Sequence, residues 1–191
     1  MPRPPRNFHA GLYHVTAHGS DSRYLFLGDR SRLSFLERLA EACVRFELKL
    51  VTYVLLGSHY HMLVWIPDAR LSAALQRVHT AHSRDQNLLH SRRAHLFLAH
   101  CVARRVNDDE DLMNVLRYVA LNPVGAGLVD DPFTWIWSTA RVHAGLVRAP
   151  IPLDESSIRS AFDDDSEWRL RYRRWIEAAA RDAVSDTDSK A

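Results

Sequence analysis

The sequence predicts an α+β domain of the ferredoxin-like split βαβ kind. That means one antiparallel sheet with helices on one face, an added helix, and a helical C-terminal tail. Three observations predict it. Segments with period-two alternation interleave with segments of helical apolar spacing, in the order β-α-β-β-α-β and then one more helix. The stretch VTYVLLGSHYHMLVWIP, 51–67, has two β-rich apolar runs around a short polar break, which is a hairpin signal. The composition is ordinary for a globular chain, 47% hydrophobic and 25% charged over 191 residues, enough for one domain with an appendage.

Each element follows from its residues. Residues 1–9 read as an arm carrying Arg3 and Arg6. GLYHVTAHG, 11–19, alternates and ends at glycine, so it reads as a strand. Asp29 is the expected N-cap of a helix through about Phe46, with Leu36, Leu39, Cys43 and Phe46 at helical spacing. Residues 49–56 and 60–66 form the hairpin around Gly57-Ser58. Leu71-Ser72 opens a helix to about Leu89, and 95–106 reads as the next strand. The carboxylates from Asp108 to Asp111 suit a helix N-terminus. That helix places Leu112, Val115, Leu116 and Val119 on one face. It is expected to stop near Asn122, because Pro123 follows. Residues 154–182 read as one or two charged helices, and the end, VSDTDSKA, as disordered. The domain is taken as 1–149 and the tail as 150–191.

The net charge of +2 is unevenly placed. Residues 1–106 hold 15 Lys and Arg against 7 Asp and Glu; residues 107–191 hold 10 against 16. A basic region suggests an anionic partner, of which nucleic acid is the commonest. Nearly all the cations are arginine, which suits bidentate phosphate contact. Arg3, Arg6, Arg77, Arg84, Arg92 and Arg93 are the candidate nucleic-acid contacts; the alternative for each is a solvated surface charge. Tyr13, Tyr24 and Phe26 are candidates to stack on an unpaired base or to pack in the core. No apolar run reaches the roughly 20 residues of a membrane span, and the N-terminus has no signal-peptide core, so a cytoplasmic protein is expected. Cys43 and Cys101 have no metal spacing and read as free thiols.

His59 and His61 are one residue apart on a predicted strand, so both imidazoles face one side and Tyr60 the other. Two same-face imidazoles can chelate a divalent metal. They can equally be two partly buried histidines with hydrogen-bond partners. Tyr118 and Asn122 are four apart on the last helix of the domain, beside its apolar stripe. Asn122 could offer an amide oxygen to a metal and Tyr118 a phenol as nucleophile. Alternatively, Tyr118 is a helix tyrosine with a wet hydroxyl and Asn122 a helix C-terminal residue. His79, His82, His90, His95 and His100 read as polar helix-face and loop residues rather than a second metal site.

The combination HYH after a strand, then YxxxN about sixty residues later, then PV-x-AG, resembles the single-tyrosine HUH (IS200-like) transposases. Within them it looks most like the REP-associated tyrosine transposases. YHVTAHG resembles their YHVT-x-R-G strand, AHLF their GHLF segment, NPVGAGLV their NPVRAGLV, and WIWST their W-S-S. The resemblance covers about residues 1–145; no motif matches in the tail.

The resemblance implies His59, His61 and Asn122 as ligands of a divalent metal, Mg²⁺ or Mn²⁺, and Tyr118 as the catalytic tyrosine. It implies cleavage and rejoining of single-stranded DNA near short hairpins through a 5′-phosphotyrosine, by a monomer or homodimer in a bacterial cytoplasm, associated with the nucleoid. The alternative is a transposase-derived protein that binds nucleic-acid hairpins without cutting. Three single positions and one four-residue segment depart from the family pattern. Ser58 replaces an asparagine, His18 and Gly125 replace arginines, and Leu98-Ala99-His100-Cys101 replaces a basic Q-G-R-F. These departures bear on substrate affinity rather than on the chemistry.

Overall fold

The structure is a computed structural model. It describes residues 8–20, 23–91, 95–98 and 101–188, with side chains through 182. Arg3, Arg6, Arg92, Arg93 and His100 therefore lie outside the described residues. Four strands form one antiparallel sheet: β1 (Gly11–His18), β2 (Lys49–Leu55), β3 (His59–Ile66) and β4 (Val102–Arg105), in the order β2-β3-β1-β4. This is the expected mixed α+β architecture with a four-stranded antiparallel sheet.

Alternation divides the sheet between two cores. Tyr60, Met62, Val64 and Ile66 of β3, with Tyr13, Val15 and Ala17 of β1, pack against α1 (Asp29–Arg45) and α2 (Leu71–Leu89). Leu63 of β3 and Val51 and Val54 of β2 face the other way, against α3 (Asp109–Gly125). The register slips between Leu50 and Thr52, so Val51 is a bulge residue, and its side chain joins the second core. Past α3 come α4 (Ala140–His143), α5 (Ser156–Ala161) and α6 (Trp168–Asp188). The free edge of β2 is covered by 135–139. Leu55 N donates to Trp137 O (2.9 Å), and Thr139 Oγ1 accepts from Tyr53 N (3.0 Å).

Several boundaries differ from expectation. Gly28, at φ 96°, caps α1, and Asp29 is its first helical residue. A left-handed φ excludes the aspartate from the cap position itself. The strand expected over 95–106 is only four residues long. Its earlier part touches β1 separately, through a Gly19–Phe97 bridge and Leu98 N donating to His18 O (2.8 Å). α3 continues through Pro123, in place of a stop near Asn122. The proline sits two residues before the helix end, so its missing N–H forgoes a single intrahelical bond, the one to the Val119 carbonyl, and its ring is buried. The end is closed by Leu128 N donating to Pro123 O and Gly127 N to Val124 O, both 2.9 Å, with Gly127 at φ 65°. α6 runs to Asp188, into the stretch expected to be disordered. The alanine-rich EAAARDA segment has the propensity to carry it on.

Candidate functional site

The site begins with sheet register. β1 and β3 pair so that His18 lies opposite His59 and Thr16 opposite His61. Alternation then puts His14, Thr16 and His18 on the same face as His59 and His61, away from the α1–α2 core. His18 stacks on His59, with centroids 4.8 Å apart and planes 17° apart. His14 lies 5.4 Å from His61. The hairpin turn that presents His59 is held by the loop before α1. Gly19 N donates to Ser58 O (2.7 Å) and Leu25 N to Gly57 O (2.8 Å). Gly57 allows this approach, since a Cβ there would stand 2.7 Å from the Tyr24 ring.

Each imidazole is oriented by a neighbour. Thr16 Oγ1 (2.9 Å) and His14 Nε2 (3.3 Å) both reach His61 Nδ1. Its Nε2 is buried and has no hydrogen-bond partner. Ser58 Oγ lies 3.2 Å from His59 Nδ1, and the Asn122 side chain also hydrogen-bonds His59. Burial, with the positive potential of His14, His59 and His18, pushes His61 down to about 3. Burial and then His18 lower His59, against the Asn122 hydrogen bond; burial and then Arg104 lower His14. These imidazoles are therefore neutral near pH 7, the state in which a ring nitrogen has a lone pair to give.

α3 brings the other residues. Asp108 caps it by accepting from Asp111 N (2.8 Å), and Asp111 is tied to Arg104 of β4 at 2.7 Å. Leu112, Val115, Leu116 and Val119 bury one stripe, which leaves Tyr118 and Asn122 on its flank. The Tyr118 ring stands 5.0 Å from His61 and 5.8 Å from His14, edge-on to both, and remains 49% exposed. Because α3 is helical through Pro123, Asn122 stays one turn beyond Tyr118. His59, Asn114, Arg117, Tyr118, Leu121 and Asn122 line an open cavity of about 580 Å³.

The structure thus brings together the four residues singled out from sequence, and adds His14, Thr16, His18 and Ser58 around them. The signal for the additions was present: GLYHVTAHG places three polar side chains at i, i+2 and i+4. What sequence alone left open was which strand β1 would pair with, and in what register.

A metal fits the donor set in one respect above all: a buried imidazole nitrogen, His61 Nε2, lacks a partner. Among the described residues no three His, Cys, Asp or Glu side chains form a cluster able to hold a metal. A metal on His59 and His61 would take its third protein ligand from a neutral side chain, and Asn122, which hydrogen-bonds His59, is one such neighbour.

Other candidates fall elsewhere. Arg77 and Arg84 are exposed on α2, which packs on the opposite face of the sheet, and they line a separate cleft with Arg38 and Asp85. Tyr13 and Phe26 are buried in the first core; Tyr24 is exposed. His79 and His82 are not polar face residues. His79 stacks on Phe97 at 3.9 Å and meets the Tyr60 hydroxyl at 2.8 Å, while His82 is buried on the Leu25 carbonyl at 2.9 Å. Neither Cys43 nor Cys101 is in a disulfide. No helix among the described residues is long and apolar enough to cross a membrane.

No protein-family model and no curated protein sequence matches this chain. A solved structure does. A REP-associated tyrosine transposase bound to a REP hairpin superposes with a TM-score of 0.64, over 81% of this chain and 93% of that one, at 15% identity. This chain has that transposase's fold. At such identity the likeness is one of architecture, and any shared chemistry rests on the residues themselves.

Proposed function

We propose that this protein is a metal-dependent single-stranded DNA endonuclease and strand-transferase that acts at hairpin-bearing strands through a covalent bond to Tyr118. The observation that carries the reading is the orphaned, buried Nε2 of His61 beside the Tyr118 ring. Support also comes from the fold shared with a transposase bound to a hairpin, and from HYH and YxxxN meeting in space.

In this reading His59, His61 and Asn122 hold Mg²⁺ or Mn²⁺. A divalent cation bound there stabilises negative charge on the scissile phosphate and orients it. The three protein ligands are neutral, so they leave that charge uncompensated. Thr16 holds the His61 ring with Nε2 available, and Ser58 does the same service for His59. Tyr118, half exposed at the cavity wall, can meet a strand entering from solvent. Its phenol oxygen attacks phosphorus, the P–O3′ bond breaks, the phenol proton is released and the 3′ oxygen takes one up. The product is a 5′-phosphotyrosine and a free 3′-hydroxyl. The phosphodiester's energy is retained, so a 3′-hydroxyl can reverse the step or join another strand without ATP.

The test is a denaturing gel of the protein with end-labelled hairpin-bearing single strands, in Mg²⁺ or Mn²⁺ and in EDTA. A covalent protein–DNA band that needs metal and vanishes in Tyr118→Phe is the expected result. Binding without any cleavage, in both metals and over several hairpins, would instead make this a hairpin-binding protein that does not cut.

A further inference from the structure

We infer that Arg117 is a phosphate-contact residue of this site, and that the C-terminal helix positions it through Trp175. The inference rests on the proposed function and extends it to the DNA backbone and to the tail, which resembles no known motif.

Arg117 precedes Tyr118 and lines the same cavity as Tyr118, His59 and Asn122. It is the only cation lining that cavity among the described residues. Every ionisable neighbour it has there is an imidazole or a phenol. Among the described residues it has no carboxylate partner, whereas Arg104, Arg169, Arg171 and Arg173 are each paired with an acid. An uncompensated guanidinium beside the nucleophile is a place for an anion, and its planar fork suits two phosphate oxygens.

The side chain is also held in place beforehand. Arg117 Nη2 donates to Asn114 Oδ1 at 2.9 Å, and its guanidinium lies 5.7 Å from the centre of the Trp175 ring on α6. Trp175 in turn is fixed edge-on to Phe162 (5.4 Å) and against Tyr172 (6.1 Å), both buried in the second core. Holding the arginine in advance reduces the side-chain entropy lost when the strand binds. The tail therefore has a task at the site although it supplies no residue to the cavity wall.

The experiment is equilibrium binding of the full chain to a panel of hairpin-bearing single-stranded oligonucleotides, titrated across salt. Arg117→Gln should weaken binding roughly tenfold or more, to a similar extent across sequences. It should also reduce the magnitude of the log Kd–log salt slope by about 0.7, the loss of one single-strand phosphate contact. Trp175→Leu should lower affinity partway, Trp175→Phe should restore it, and in an Arg117→Gln background Trp175→Leu should have no further effect. An Arg117→Gln protein with the wild-type slope would overturn the inference while leaving the proposed function standing. So would a Trp175→Leu loss that is equal with and without Arg117, which would mark Trp175 as merely structural. A wild-type protein that binds no oligonucleotide in the panel would overturn both.

Discussion

At the scale of single residues, Thr16 is placed to set which nitrogen of His61 is available. A hydroxyl 2.9 Å from Nδ1 can accept its proton, and the lone pair then resides on Nε2, the buried atom without a partner. Hydrogen-bond partners of this kind typically alter metal affinity by about 10–100-fold. Thr16→Val keeps the shape and removes the acceptor. We expect it to weaken Mn²⁺ binding by about that factor in isothermal titration, with Thr16→Ser recovering most of the loss. Unchanged affinity in Thr16→Val would mean that His14 alone, at 3.3 Å, sets the ring, or that His61 is no ligand. His59 and His61 were legible from sequence because strand alternation is local. The roles of Thr16, His14 and His18 were not, because they depend on a pairing between residues more than forty positions apart.

At the scale of elements, α3 shows what local rules reach and where they stop. Its start was legible: Asp108 and the carboxylates after it are an N-terminal signature, and Asp108 does cap the Asp111 amide. Its end was not. The rule that a residue before proline leaves the helix is statistical, and here the last turn stays helical with Pro123 buried on the same helix as Val119 and Ala120. The same limit explains β4, whose length is set by where β1 offers partners rather than by its own apolar run. The hairpin and α2, by contrast, have boundaries written in their own residues. Gly127 closes α3 with φ 65°, and a Cβ there would meet nothing within 4 Å. The cost of Gly127→Ala is therefore conformational alone, about 1–2 kcal/mol for a left-handed alanine. Asp108→Ala should cost about 1 kcal/mol at the other end. Both are read as a lower midpoint in denaturant at unchanged slope, and a change of slope would point to an altered unfolded state instead.

At the scale of the whole molecule, the acidic tail completes the core behind α3. Ile158, Phe162, Trp168, Tyr172 and Ile176 are buried with Val115, Leu116 and Val119. At about 1.5–3 kcal/mol for each large side chain, their burial is comparable to the roughly 5–15 kcal/mol by which domains are stable at all. Removing 151–191 should therefore unfold or aggregate the protein. A truncated chain that melts cooperatively near the wild-type temperature would sink that expectation. The tail is locked by a charge cluster whose titration has a definite sign. Glu155 meets His143 Nδ1 at 3.1 Å and Arg169 at 2.6 Å. Burial pushes the Glu155 carboxyl up, but the His143 hydrogen bond and Arg169 outweigh it and hold the group at about 2, below its ordinary 4.5. A carboxyl depressed in the folded state gives stability that is fully present above the unfolded pKa. That stability is lost as pH falls from about 4.5 towards 2. His143, lowered chiefly by its burial, adds in the same direction, since charging it as pH falls below 6.5 favours the unfolded chain. Denaturant midpoints followed by tryptophan fluorescence, to which Trp168 and Trp175 of the tail contribute, should thus fall as pH drops through this range. Glu155→Gln should remove the carboxylate part between pH 4.5 and 2 and, because Glu155 also raises His143 against its burial, deepen the His143 part. A variant that keeps the full wild-type acid dependence would show that other carboxylates, not this cluster, fasten the tail.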